Sequence, residues 1–97
     1  MSTYQFSADL WLHNDMPGAW YFITLPRDAA DEIRASNERR GFGSVRVHAT
    51  IGDSTWETSV FPDTKSDSFI LPVKAAIRRK QEIDEGDAVT VTIATGT

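Results

Sequence analysis

Two basic residues, Lys74 and Arg78, stand four positions apart in the segment LPVKAAIRRK, with Arg79 and Lys80 directly after them. At that spacing two side chains share one face of a helix. If the helix opens at Pro72, since proline suits a first helical turn, Lys74 also lies near backbone N–H groups that no helical carbonyl takes up. Cations beside free donors are the chemistry of an anion site, for a phosphate or a carboxylate. The plainer reading is a solvated basic face, with Arg78, Arg79 and Lys80 complementing the negative end of the helix dipole. A second polar group, Trp56-Glu57-Thr58-Ser59, reads as strand, with Trp56 and Thr58 on one face and Glu57 and Ser59 on the other. Its hydroxyls could line a polar pocket beside the basic helix, or simply join a cross-strand ladder. The candidate ligand-binding set is therefore Lys74, Arg78, Thr58, Ser59 and Trp56. The candidate ligand is a small anion or an acidic peptide.

Other chemistry finds less support. Ser59, His48 and an aspartate are the parts of a hydrolase triad, but no Gly-x-Ser-x-Gly elbow surrounds Ser59. His13 and His48 are the only histidines and have no ligand-like spacing to carboxylates. The chain has no cysteine, which excludes disulfides, cysteine nucleophiles and thiolate metal sites. Asp84-Glu85-Gly86-Asp87 lacks the pattern of a calcium-binding loop and reads as a turn. No catalytic residue, metal ligand or cofactor is assigned, and the chain reads as a non-enzymatic binding or accessory module. Trp11, Trp20 and Trp56 could stack bases or sugars if exposed. Core filling is the simpler use of tryptophan in a small domain.

The composition sets the frame. The chain has 97 residues, 40% hydrophobic and 25% charged, an ordinary globular balance for one domain over residues 1–97. The net charge of −4 argues against nucleic acid as a partner, because such binders usually carry a basic surface. Only residues 74–80 concentrate positive charge. The opening MSTYQFSADLW lacks the basic and apolar regions of a signal peptide. No apolar run approaches the ~18 residues of a membrane span. A cytoplasmic protein, monomeric or weakly dimeric, is the expectation.

The elements that must position these groups come from periodicity and punctuation. Strands are expected at residues 4–13, 19–25, 44–51, 55–61, 68–71 and 88–94, from alternation and β-branched or aromatic content. Residues 44–61 form a hairpin about Gly52-Asp53-Ser54. A helix over 28–39 carries Ala29, Ala30, Ile33 and Asn37 on one stripe, acids early, Arg39 and Arg40 late, and Gly41 and Gly43 beyond. A second helix runs from Pro72 to Gln81 with Val73, Ala76, Ile77 and Lys80 on one stripe. The alternation predicts a core of Phe6, Leu10, Leu12, Phe22, Val45, Val47, Ile51, Ile77, Val89, Val91 and Ile93. Residues 22–51 and 69–94 each read apolar run, Leu-Pro, helix, Gly, Val-x-Val. Two such units cannot bury their apolar faces alone and should pack together. The fold class expected is mainly β: a small closed six-stranded double-split-type barrel with two short helices, built from an internal duplication.

Two segments carry a resemblance: SVRVHATIGDSTWETSVFP at 44–62, and residues 69–93 with LPVKAAIRRK and EGDAVTVTI. They resemble a bacterial family of small stand-alone or fused barrel domains whose function is unassigned. Members of that family can precede a domain linked to bacteriocin resistance. The likeness covers nearly the whole chain, including the opening strand and TLPRDAADEI, and implies a barrel serving as a module. Residues 69–93 alone also resemble the swapped-hairpin unit of transition-state regulators and antitoxins. Those proteins pair two chains into one double-split barrel, and the repeat here implies that one chain supplies both halves. This likeness brings a rival function, a DNA-binding regulator. Fold kinship does not carry DNA binding with it, and phosphate neutralisation would rest on residues 74–80 alone.

Overall fold

Apolar residues at alternate positions build the wall of the molecule, which a computed structural model describes over residues 2–13, 19–36 and 43–95. The elements run β1 (Ser2–His13), β2 (Trp20–Thr24), α1 (Arg27–Ser36), β3 (Val45–Ile51), β4 (Ser54–Asp63), β5 (Ser68–Pro72), α2 (Ala75–Gln81) and β6 (Ala88–Thr95). The six strands close into a barrel in the order β1-β2-β5-β4-β3-β6, every neighbouring pair antiparallel. Closure removes the unpaired edges that a small open sheet would leave exposed. The expected mainly β class, the six-stranded closed barrel and the two helices are all present. No helix among the described residues is long and apolar enough to cross a membrane.

The interior is filled rather than hollow. Val45, Val47, Ala49 and Ile51 point inward from β3, Val60 from β4, Phe69 and Leu71 from β5, and Val89, Val91 and Ile93 from β6, all buried. Leu10 and Ile23, opposite each other on β1 and β2, join them. Three expected core residues differ. Phe6 and Leu12 are only half-buried, and so is Phe22. Phe22 pairs with Trp11, and both side chains lie outside the barrel while Ile23 points in. The run Trp20-Tyr21-Phe22-Ile23 is apolar on both faces, so alternation alone did not decide its orientation.

Both helices begin after a proline, but not at the same distance. α1 starts at Arg27, next to Pro26, whose carbonyl accepts the Ala30 N–H at 3.0 Å. It buries Ala29, Ala30 and Ile33, the stripe expected; Asn37, Arg39, Arg40 and Gly41 lie outside the described residues. α2 corrects the expectation. Pro72 is the last residue of β5, opposite Phe22, and the ladder continues through the Val73 N–H to the Tyr21 carbonyl at 2.9 Å. The helix begins at Ala75 with Lys74 as an extended N-cap whose side chain makes no capping bond. Proline is tolerated at a strand end for the reason it is tolerated at a helix start: neither place requires its missing N–H. Val73 and Ile77 are buried, whereas Ala76 and Lys80 are exposed, so the buried stripe is narrower than expected. The helix stops at Glu82, which takes a left-handed conformation and donates its N–H to the Arg78 and Arg79 carbonyls.

Two contacts tie turns to helices and give testable results. The β3–β4 turn holds Gly52 at φ +59, where an added Cβ would stand 2.1 Å from Gln81 Oε1. Gln81 donates to Asp53 Oδ1 at 2.7 Å and Ser54 Oγ at 2.8 Å, fastening the turn to α2. Gly52→Ala should cost about 1–2 kcal/mol from the left-handed backbone alone. Urea denaturation would read it.

The β4–β5 turn is held to α1 by Arg27 and Arg34, which both reach Asp67; Arg34 also donates to the Asp67 carbonyl at 2.5 Å. The hydrogen bond and charge of Arg27, followed by the charge of Arg34, hold the Asp67 carboxyl below its ordinary 3.8. A carboxyl depressed in the folded state adds stability above its unfolded value, and that contribution is lost as pH falls through the folded value. The advantage of the native chain over Asp67→Asn should therefore be complete at neutral pH and vanish on acidification below 3.8. Asparagine accepts the positive φ of Asp67, so backbone strain does not confuse the comparison. Paired denaturation curves at neutral and strongly acidic pH would check it.

Candidate functional site

Strand pairing explains how distant residues reach one cavity. The antiparallel β4–β5 register, Phe61 opposite Ile70 and Pro62 opposite Phe69, brings Thr58 level with Val73 when continued. The β2–β5 ladder sets Tyr21 beside Val73. At this end of the barrel lies a cavity of about 330 Å³. Its lining includes Trp20 and Tyr21 from β2, Trp56 and Thr58 from β4, and Lys74 and Arg78 from the start and middle of the α2 segment. Four of the five residues singled out in the sequence thus border one space. Ser59 does not: it follows the outward face of β4, opposite Arg46 on β3.

The cavity is rich in donors. Arg78 lays its guanidinium carbon 3.8 Å from the centre of the Tyr21 ring. Its Nη1 makes one long bond, 3.5 Å, to the Val73 carbonyl. Neither Arg78 nor Lys74 forms an ion pair with a described carboxylate, unlike Arg27, Arg34 and Arg46. Glu57 also borders the space, but its carboxylate is committed to Arg46 at 2.6 Å and lies 3.5 Å from His48 Nε2. Trp56 is only 9% exposed, yet its indole N–H donates to no protein group. No buried side-chain nitrogen or oxygen among the described residues lacks a partner. The Trp56 nitrogen is therefore not sealed from solvent, and Trp56 is one of the residues that line the cavity. The Thr58 hydroxyl, half-buried, also makes no bond within the protein.

One part of the sequence argument falls away. α2 has seven residues, and its opening turn is too short to serve as an anion site of its own. What borders this space is side chains that carry donors: Arg78, Lys74, Trp56 and Thr58. The tryptophans also divide. Trp56 fills the barrel end as expected, Trp11 is half-buried, and Trp20 is 47% exposed at the cavity rim. Tyr21 was not among the sequence candidates, and Trp20 was weighed only as a stacking residue if exposed, with core filling preferred. They join the site through the long-range β2–β5 pairing, and the only local signal was the aromatic run Trp20-Tyr21-Phe22.

The triad parts are not assembled. His48 faces Glu57, Ser59 faces Arg46, and no hydrogen bond joins Ser59 to His48. Among the described residues no group of three histidine, aspartate or glutamate side chains could hold a metal ion.

The architecture and cavity define a small antiparallel barrel domain with a donor-lined pocket at one end. The chain belongs to a family described as a domain of unknown function, DUF1905, whose family model matches residues 6–93. No curated protein matches the chain.

Proposed function

We propose that the chain is a binding or accessory module whose cavity takes a small anion, or the carboxylate of an acidic peptide. The observation that carries this reading is Arg78. Its guanidinium carbon stands 3.8 Å over the Tyr21 ring, it forms no ion pair with a described carboxylate, and Lys74, Thr58 and Trp56 line the same space. A planar guanidinium supported on a ring is pre-organised for the forked recognition of phosphate or carboxylate. Lys74, Thr58 and the Trp56 N–H add donors from other sides. The one acid among the described residues that line this cavity, Glu57, is drawn toward β3 by Arg46.

Calorimetric titration with inorganic phosphate and with acetate tests the reading. Saturable binding that weakens as salt is added is the expected result, because exposed charge attraction is screened. No binding of either anion at low salt would overturn it.

We also infer that the barrel arose by duplication of a β-β-α-β unit, which is the double-split arrangement within one chain. Exchanging β1 with β4, β2 with β5 and β3 with β6 leaves the strand order unchanged. This symmetry supports a barrel that needs no second copy. A monomer by light scattering at micromolar concentration is the outcome it requires.

A further inference from the structure

We infer that the ligand of this cavity carries its anionic group on a planar ring, with the ring stacked on Trp20 and the charge held by Lys74, Arg78 and the Trp56 N–H. This rests on the anion reading above and adds a ligand class to it. The cavity is not shaped for a bare anion. At about 330 Å³ it falls in the range of pockets that hold whole organic molecules. Its inner donors occupy only part of the lining, and the rim is aromatic.

Trp20 is the most exposed large hydrophobic side chain of the described residues, at 47%. It is also a supported one. Its ring lies 11° from parallel with Phe22, with centroids 6.4 Å apart. Phe22 in turn packs against Trp11 at 5.2 Å, and the Trp11 indole N–H is fixed on Thr24 Oγ1 at 2.9 Å. Trp20 is therefore the outermost plate of a braced aromatic row, leading from the outer face of β1 and β2 to the cavity mouth. A rigid aromatic plate beside a cation-lined recess matches a molecule with one flat face and one negative end. Base–aromatic stacking is tolerant of ring identity. A nucleoside phosphate and an aromatic carboxylate therefore share the required chemistry.

Calorimetry on the full chain with two matched pairs, plus inorganic phosphate, tests the inference. One pair is adenosine monophosphate against ribose 5-phosphate, the other benzoate against cyclohexanecarboxylate. In at least one pair the planar-ring member should bind about tenfold tighter than its partner, the size of a typical stacking contribution. The pair that shows the larger ratio tells phosphate from carboxylate as the anionic group. Trp20→Ala should bring the paired affinities together, and Trp20→Phe should keep part of the difference. Equal affinities within both pairs, with phosphate still bound, would overturn the ring and leave the anion site standing. A ratio unchanged in a folded Trp20→Ala variant would also overturn it. Failure of every anion to bind, phosphate included, would remove the anion reading and this inference together.

Discussion

Replacing Phe69 with alanine should cost about 3–5 kcal/mol, the usual range for losing a buried phenylalanine. Phe69 is fully buried, and its ring lies beneath the Arg34 guanidinium at 5.5 Å. Its backbone carbonyl accepts the Leu25 N–H at 2.9 Å, and the neighbouring Ser68 hydroxyl donates to the Leu25 carbonyl at 2.7 Å. The side chain therefore fills the centre of a region where β5, the end of β2 and α1 meet. Truncation leaves a void that three elements would have to collapse to fill, and closed strands collapse poorly. Against a total stability of ~5–15 kcal/mol for a domain, such a loss should leave a chain unfolded or close to it. Phe69→Leu keeps most of the volume and should recover much of the difference. Urea denaturation followed by circular dichroism checks both. A loss under about 1 kcal/mol for the alanine variant would mean that the ring contributes far less packing than its burial implies.

The second large effect is on binding. Lys74→Ala with Arg78→Ala should weaken phosphate affinity by about a hundredfold or more, since hydrogen bonds to charged groups contribute ~1.5–3 kcal/mol each. The fold should survive, but not without cost. Lys74 is exposed, and its loss should change stability by no more than about half a kcal/mol. Arg78 is half-buried on Tyr21, and losing that contact should cost about 0.5–2 kcal/mol. Arg78→Lys separates the terms. It keeps the charge but loses the guanidinium's contact with the Tyr21 ring, so it should retain some affinity while losing part of the stability. A folded double variant that binds phosphate as the native chain does would refute the assignment of these two residues.

How much of this was legible in the sequence depends on how local each determinant is. β3 and β4 were readable because Val45, Val47, Ala49 and Ile51 alternate strictly with polar residues, as do Trp56, Thr58 and Val60. The same alternation set Trp56 and Thr58 on one face of β4 and Glu57 and Ser59 on the other, yet Glu57 borders the cavity and Ser59 does not, so face alone did not decide the lining. The start of α2 was not readable, because a proline after an apolar run ends a strand and opens a helix with the same letters. Phe22 was misassigned because its neighbours Tyr21 and Ile23 are as apolar as it is, and only pairing with Trp11 decides the face. The end of α2 at Gln81 was readable, because Gly86-Asp87 and the acidic run before it cannot extend the stripe, but the left-handed turn at Glu82 that closes it carries no mark in a glutamate. Of the cavity, the cations and the β4 side chains were visible one segment at a time. Tyr21 and Trp20 enter through the β2–β5 ladder, across about fifty residues of chain, and no local pattern reports such a contact.

The pairing of β1 with β6, which sets Ser2 opposite Thr95, has a consequence for how the molecule comes into being. The first strand of the barrel is stapled to its last. While the chain is being synthesised, one edge of β1 must wait for β6, and β3 waits with it. Because partners so far apart in sequence must meet before the ring shuts, folding should be slow for a barrel of this size and cannot finish before β6 has been made. Until then the two flanking strands expose the surfaces most open to mispairing with another nascent copy. A truncation that removes β6 should therefore yield an aggregating product rather than a five-stranded version of the same protein.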